Sequence, residues 1–182
     1  VKKYQPQAVL YVWQGGQEGG SGVADVLTGK ICACGKLPDT IAADINDYPS
    51  TANFGDPFKN YYKEDIYVGY RYFETFAKDK VLYPFGYGLS YTTFEIKAKI
   101  SENTKDKFKV AVVVRNTGNV KGKEVVQVYA KVPQGKLGNP EKKLVGFVKT
   151  KELKPGEKEE ICIVVSKYDM ASYDDSGITG YK

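Results

Sequence analysis

Near residue 92 the hydrophobic period of this chain changes, and no other feature constrains the fold as much. Beyond Thr93 the apolar side chains recur every second residue. Phe108, Val110, Val112 and Val114 alternate through "FKVAVVVRN", Val126, Val128, Ala130 and Val132 through "EVVQVYAKV", and Ile161, Ile163 and Val165 through "EICIVVS". Successive side chains of a strand point to opposite faces, so each segment has one apolar face to bury. A second sheet laid on the first is the way to bury it. Strong turns separate the segments, "NTGN" at Asn116–Asn119 and "LKPGEK" around Pro155-Gly156. Residues 93–182 are therefore expected to form an antiparallel β-sandwich without helices. After the turn-like "YDDSG" at Tyr173–Gly177 only "ITGYK" follows, so this sandwich is expected to lack its last strand.

Residues 1–92 follow a different grammar. "QAVLYVW", Gln7 to Trp13, is a continuous apolar run that predicts a strand buried on both faces in a parallel sheet, with Trp13 in the core. A glycine turn follows, then "SGVADVLTG". There Ser21 is expected to cap a helix that presents Val23, Val26 and Leu27 on one face and stops at Gly29. "GKLPDTI", Gly35 to Ile41, reads as a turn into another extended segment. Strand, turn and helix in this order indicate the end of an α/β layer. Residues 44–73 are rich in turn formers and show little periodicity. They read as a strap anchored by Tyr61, Tyr62, Tyr67, Tyr70 and Tyr72, a reading preferred to sugar stacking by these rings. Phe85, Tyr87, Tyr91 and Phe94 are expected to lock the junction between the halves. The second half fits a sandwich of the immunoglobulin or fibronectin type III kind.

Composition removes several function classes. There is no histidine, so neither a Ser-His-Asp nor a Cys-His pair can be built, and the usual zinc sites are excluded with them. The net charge is +5, but the lysines are interleaved with glutamates, as in "KELKPGEKEE", which argues for a solvated surface and against nucleic acid. No apolar run approaches the roughly 20 residues of a membrane helix. Cys32, Cys34 and Cys162 read as small buried thiols, which favours a reducing compartment and hence the bacterial cytoplasm. The start, Val1-Lys2-Lys3-Tyr4, has neither an initiator Met nor the apolar core of a signal peptide, so a piece of a longer chain is expected.

Three strings carry a more specific message: "GQEGGSGVADVLTGK…GKLPDT", "YKEDIYVGYRYFE" and "LYPFGYGLSYTTFE". Together they closely resemble glycoside hydrolase family 3, the β-glucosidases and their relatives. "NTGNVKGKEVVQVY", "KLVGF" and "LKPGE" resemble the fibronectin type III-like domain of the same enzymes. The resemblance implies retaining, exo-acting hydrolysis of terminal β-linked sugars from an oligosaccharide or β-glycoside, with no cofactor. That chemistry needs two carboxyl groups roughly 5 Å apart across the anomeric carbon. In the family the nucleophile is an Asp of a TIM-like barrel, and the acid/base is commonly a Glu upstream of the segment present here. The resemblance thus makes residues 1–92 the terminal portion of the α/β sandwich domain and the missing barrel its partner. The sugar specificity resides in barrel loops.

Glu18, alone among four glycines, is the one candidate for catalysis. The preferred reading makes it structural, a carboxylate tying the amides of the turn and supporting the pocket together with Gln17. Tyr70 and Arg71 complete the set of residues expected near the substrate or just behind it. No catalytic residue and no metal ligand is expected within the chain, and the segment alone is expected to be inactive. The competing reading is a carbohydrate- or protein-binding fibronectin-like module without catalysis.

Overall fold

The computed structural model describes residues 4–174 and 180–181. The "YDDSG" turn lies partly outside the described residues, and so does the expected absence of a last strand beyond it.

In the first half, helix α1 spans Gly19–Leu27, and strand β1 spans Ile41–Ala42. Helix α2 covers Tyr70–Phe76, and strand β2, Val81–Tyr83, pairs antiparallel with β1. A small core gathers where α2 crosses this pair. Phe73 is almost fully buried there with Ala42 and Ala77, and Tyr48, Tyr72 and Val81 pack around them. The Tyr48 hydroxyl donates to Thr40 O and accepts from Ala42 N, both at 2.9 Å, so one phenol closes the loop before and after β1.

In the second half, β3 (Phe94–Asn103), β4 (Lys107–Asn116) and β7 (Lys158–Ser166) form an antiparallel sheet in the order β3-β4-β7. β5 (Val125–Ala130) and β6 (Lys143–Lys149) form a second sheet against it. The period-two faces meet between the sheets. Val110, Val112, Val114, Val126, Ile163 and Val165 are buried together with Leu153, and Phe94, Phe108, Val128 and Ile161 seal the edges. A short β8 (Tyr173–Asp174) pairs with β9 (Gly180–Tyr181). The fold is thus an α/β segment followed by a β-sandwich, as the sequence predicts.

Several local expectations are corrected. Gln7–Trp13 forms no strand, and Val9 to Trp13 are exposed, because no other described strand lies alongside to supply the ladder that an extended apolar segment needs. Helix α1 starts two residues before Ser21, with Glu18 as its N-cap. Of the expected apolar face, Val23 and Val26 are half-buried while Leu27 is exposed. "YRYFETF" is helical although it lies at the end of the irregular stretch, because Phe73 and Tyr72 find a core to enter. Among the thiols, Cys32 and Cys34 are half-buried but Cys162 is exposed, since it faces outward from β7 between Ile161 and Ile163. Strand β5 ends at Ala130, short of Val132, where Pro133 follows and can donate no ladder hydrogen bond. No described helix is long and apolar enough to cross a membrane.

Candidate functional site

Glu18 sits at the N-terminal end of α1, where the aligned amides favour an acidic side chain. Its backbone carbonyl accepts from Gly22 N at 3.0 Å, the first hydrogen bond of the helix. Its carboxylate accepts from the Ser21 hydroxyl at 3.1 Å. The expected clasp of backbone amides around the carboxylate is therefore replaced by one side-chain contact within the helix's first turn. Gln17 and Glu18 are both exposed. The retaining mechanism opposes two carboxyl groups across the sugar, whereas the Glu18 carboxylate meets a serine hydroxyl.

Tyr70 and Arg71 occupy a different place, the seam between the halves. Tyr70 stacks on Phe85 with centroids 4.5 Å apart and an interplanar angle of 24°, and meets Tyr129 edge-on at 6.1 Å. Its hydroxyl accepts from Leu144 N at 2.8 Å, so a tyrosine of the first half satisfies a backbone donor of β6. One turn further along α2, Thr75 Oγ1 accepts from Glu141 N at 2.9 Å. Arg71 is half-buried near Lys143, whose ammonium is pushed below the ordinary lysine value by burial first and by the Arg71 charge second. No hydrogen bond or ion pair among these residues joins Tyr70 or Arg71 to Gln17 or Glu18.

The anchoring role expected of the tyrosines divides. Tyr70 and Tyr72 are packed, and Tyr67 meets Phe76 at 4.9 Å. Tyr61 and Tyr62 are exposed. Of the junction aromatics, Phe85 and Phe94 pack inward, and the half-exposed Tyr91 ties α1 down by donating its hydroxyl to Val26 O at 2.9 Å. Tyr87 meets the Tyr83 ring at 5.5 Å, and its carbonyl accepts from Leu37 N at 2.8 Å. Trp13 is exposed and packs edge-on against Tyr11.

Two features of the seam escaped the sequence. Lys36 and Glu124 form an ion pair of 2.8 Å across it. Tyr129 donates to Gln127 Oε1 at 2.6 Å, and burial, with Tyr70 and Glu74 adding to it, pushes its phenol up to about 12. Lone lysines, glutamates and glutamines in a polar sequence give no signal of such meetings. Around the seam the carboxylates are matched with lysines: Glu74 with Lys78 and Lys142, Glu141 with Lys131, Asp47 with Lys80. That arrangement sets each of these acids beside an ammonium, and the Lys131 ammonium holds the Glu141 carboxyl below the usual carboxylate range. A further cleft of about 360 Å³ opens in the strap, lined by Asn53, Phe54, Tyr61 and Tyr62 among others.

Comparison with known proteins resolves what these parts belong to. A model described as the glycosyl hydrolase family 3 C-terminal domain matches residues 2–91, and one described as a fibronectin type III-like domain matches residues 124–178. The chain belongs to glycosyl hydrolase family 3. A beta-glucosidase of Ruminococcus albus is 56% identical over 99% of this family 3 segment, and beta-glucosidase A of Butyrivibrio fibrisolvens is 49% identical over 97% of it. The solved beta-glucosidase of Paenibacillus barengoltzii matches 88% of the chain at a TM-score of 0.83 and 55% identity. Beta-glucosidase 3B of Thermotoga neapolitana, solved in complex with glucose, matches 90% at 0.83 and 48% identity. The family 3 segment spans only about a fifth of the length of these relatives, 19% and 23% of the two curated sequences and 18% and 23% of the two structures.

Proposed function

We propose that this chain is the accessory portion of a retaining, exo-acting β-glycosidase, most closely a β-glucosidase, that hydrolyses terminal β-linked sugars of oligosaccharides or β-glycosides. The observation that carries the reading is the 56% identity to a beta-glucosidase sustained over 99% of the chain. Retaining hydrolysis uses one carboxylate to attack the anomeric carbon and another to protonate the leaving oxygen and then activate water. In this reading both carboxylates belong to the rest of the polypeptide, which includes a TIM-like barrel. Residues 1–92 form the end of an α/β sandwich domain and residues 93–182 the fibronectin-like domain. Gln17, Glu18, Tyr70 and Arg71 stand behind the substrate pocket and hold its walls. The exposed run from Val9 to Trp13 supports this reading, because it is a continuous apolar segment with no described strand alongside it. The three free thiols favour a reducing compartment, the bacterial cytoplasm.

The test is an assay on a chromogenic β-glucoside. The full-length protein carrying this segment hydrolyses it, and residues 1–182 alone do not. Turnover by the segment alone, or none by the full-length protein, would refute the reading.

A further inference from the structure

We propose that Arg71 and Lys143 together receive an aspartate or glutamate side chain from a part of the polypeptide outside residues 1–182, and so dock this segment on the rest of its chain. Arg71 lies on α2 and Lys143 opens β6, and both are half-buried. Two hydrogen bonds fix these elements to each other around the cations. Leu144 N donates to the Tyr70 hydroxyl at 2.8 Å, and Glu141 N donates to Thr75 Oγ1 at 2.9 Å. Among the described residues, neither the Arg71 guanidinium nor the Lys143 ammonium makes a hydrogen bond or an ion pair.

The neighbouring charges are arranged differently. Lys142 pairs with Glu74 at 2.7 Å and Lys131 with Glu141 at 2.6 Å, so these two acids already answer other lysines. Asp169 lines an open cleft of about 380 Å³ with Lys143, Leu144, Val145 and Tyr168, but forms no ion pair with Lys143. Burial and then the Arg71 charge push the Lys143 ammonium below the ordinary lysine value, and the opposite pull of Asp169 does not offset them. Two partly desolvated cations that repel each other are unfavourable, and a carboxylate set between them relieves both.

Free anions such as phosphate are commonly held by converging backbone amides. Here the amides of Glu141 and Leu144 are already spent on Thr75 and Tyr70, which leaves side chains to do the holding. A carboxylate carried by the same polypeptide needs no such cradle, because its tether gives it a high effective concentration. An arginine fork matches the carboxylate oxygens, and the cleft beside Lys143 gives a side chain room to enter. The segment spans 19% and 23% of two relatives, so a full-length protein of that size has acids outside it to offer. The inference rests on the chain being part of a longer polypeptide, and not on which reaction that polypeptide carries out.

The experiment treats the full-length protein with a carbodiimide, which joins an ammonium to a carboxylate in contact with it, and maps the products by peptide mass spectrometry. The expected result is a cross-link from Lys143 to an Asp or Glu outside residues 1–182. No cross-link from Lys143, or one to Asp169 alone, overturns the proposal. Arg71→Gln is expected to lower the yield of the cross-link severalfold, and an unchanged yield overturns the shared site. The mapped acid is then replaced by its amide, alone and together with Lys143→Met, and melting temperatures are compared. Partners in contact shift them non-additively, the double variant falling no further than the worse single one. Additive shifts overturn the proposal. Inorganic phosphate is expected to raise the wild-type melting temperature no more than chloride at equal ionic strength. A larger rise that Lys143→Met abolishes overturns the proposal and assigns the cations to a free anion. Turnover of a β-glucoside is followed separately, since its absence counts against the hydrolase reading and leaves the cross-link to decide the docking contact.

Discussion

Lys36 Nζ lies 2.8 Å from Glu124 Oε1, with the two side chains only 17% and 15% exposed. Lys36 also donates to Gly88 O at 2.8 Å, and Glu124 Oε1 accepts from Val125 N at 2.6 Å. The pair therefore joins a loop of the first half to the start of β5. Breaking one side leaves a poorly hydrated charge, whereas replacing both with apolar groups does not. Lys36→Met is expected to cost about 3 kcal/mol, and Lys36→Met combined with Glu124→Leu to recover much of that loss. Denaturant unfolding of the two variants checks both signs.

Asn116 is fully buried at the end of β4 and uses its whole amide. Nδ2 donates to Val120 O and Leu153 O, both at 2.8 Å, while Oδ1 accepts from Thr92 Oγ1 at 2.7 Å and Gly118 N at 3.0 Å. Asn116→Asp keeps the shape but removes both donors, leaving two carbonyls beside a buried carboxylate. A loss of about 3 kcal/mol or more is expected. Because the new acid has to be ionised in a dry site or stay protonated, the variant regains stability as pH falls through the carboxylate range. Thermal melts at pH 4 and pH 7 test this.

Two neighbouring glycines are expected to differ in their tolerance of a methyl group. A Cβ on Gly88 would stand 2.1 Å from Gly35 O, a backbone atom held in place, whereas one on Gly86 would meet the movable tip of Gln127 at 2.3 Å. Gly86 nevertheless has a φ of +80°, which an L-residue adopts only with strain. Gly88→Ala is expected to be the more damaging, separating Lys36 from its carbonyl. Gly86→Ala is expected to cost about 1–2 kcal/mol. Expression yield and melting temperature of the two variants give the order.

The Tyr129 phenol titrates near 12 where an ordinary phenol titrates near 10. The folded protein thus holds this proton over a pH range in which the unfolded chain has lost it. Stability from this group is complete below pH 10 and is lost as pH rises towards 12. Tyr129→Phe removes that dependence along with the hydrogen bond to Gln127. The wild-type advantage over the variant should therefore shrink across this window, as followed by unfolding at stepped pH. An equal difference at pH 9 and pH 12 would refute the assignment.

Legibility in the sequence followed how local each determinant is. The faces of β4 and β7 were readable because the alternation of Val110, Val112 and Val114 is set by the strand backbone itself. The start of α1 was misplaced because a serine before an apolar run is the usual cap signal, and only the fold shows that the glycines at 19 and 20 are already helical. Helix α2 gave no periodic signal over seven residues, and its existence depends on the pocket that receives Phe73. Tyr70 and Arg71 lie at the seam, where the partners that define their place, Leu144 and Lys143, come from the other half of the chain.

By itself the sequence determined the change from α/β to sandwich, the inward faces of the long strands, and the family through its three long motifs. Each of these is written in contiguous residues. Tertiary structure alone decided that Lys36 meets Glu124, that Tyr70 closes the seam, that the Gln7–Trp13 run has no strand beside it among the described residues, and that Tyr61 and Tyr62 open onto a cleft. Those outcomes depend on which surfaces approach one another across long stretches of chain, and no local period or propensity encodes that approach.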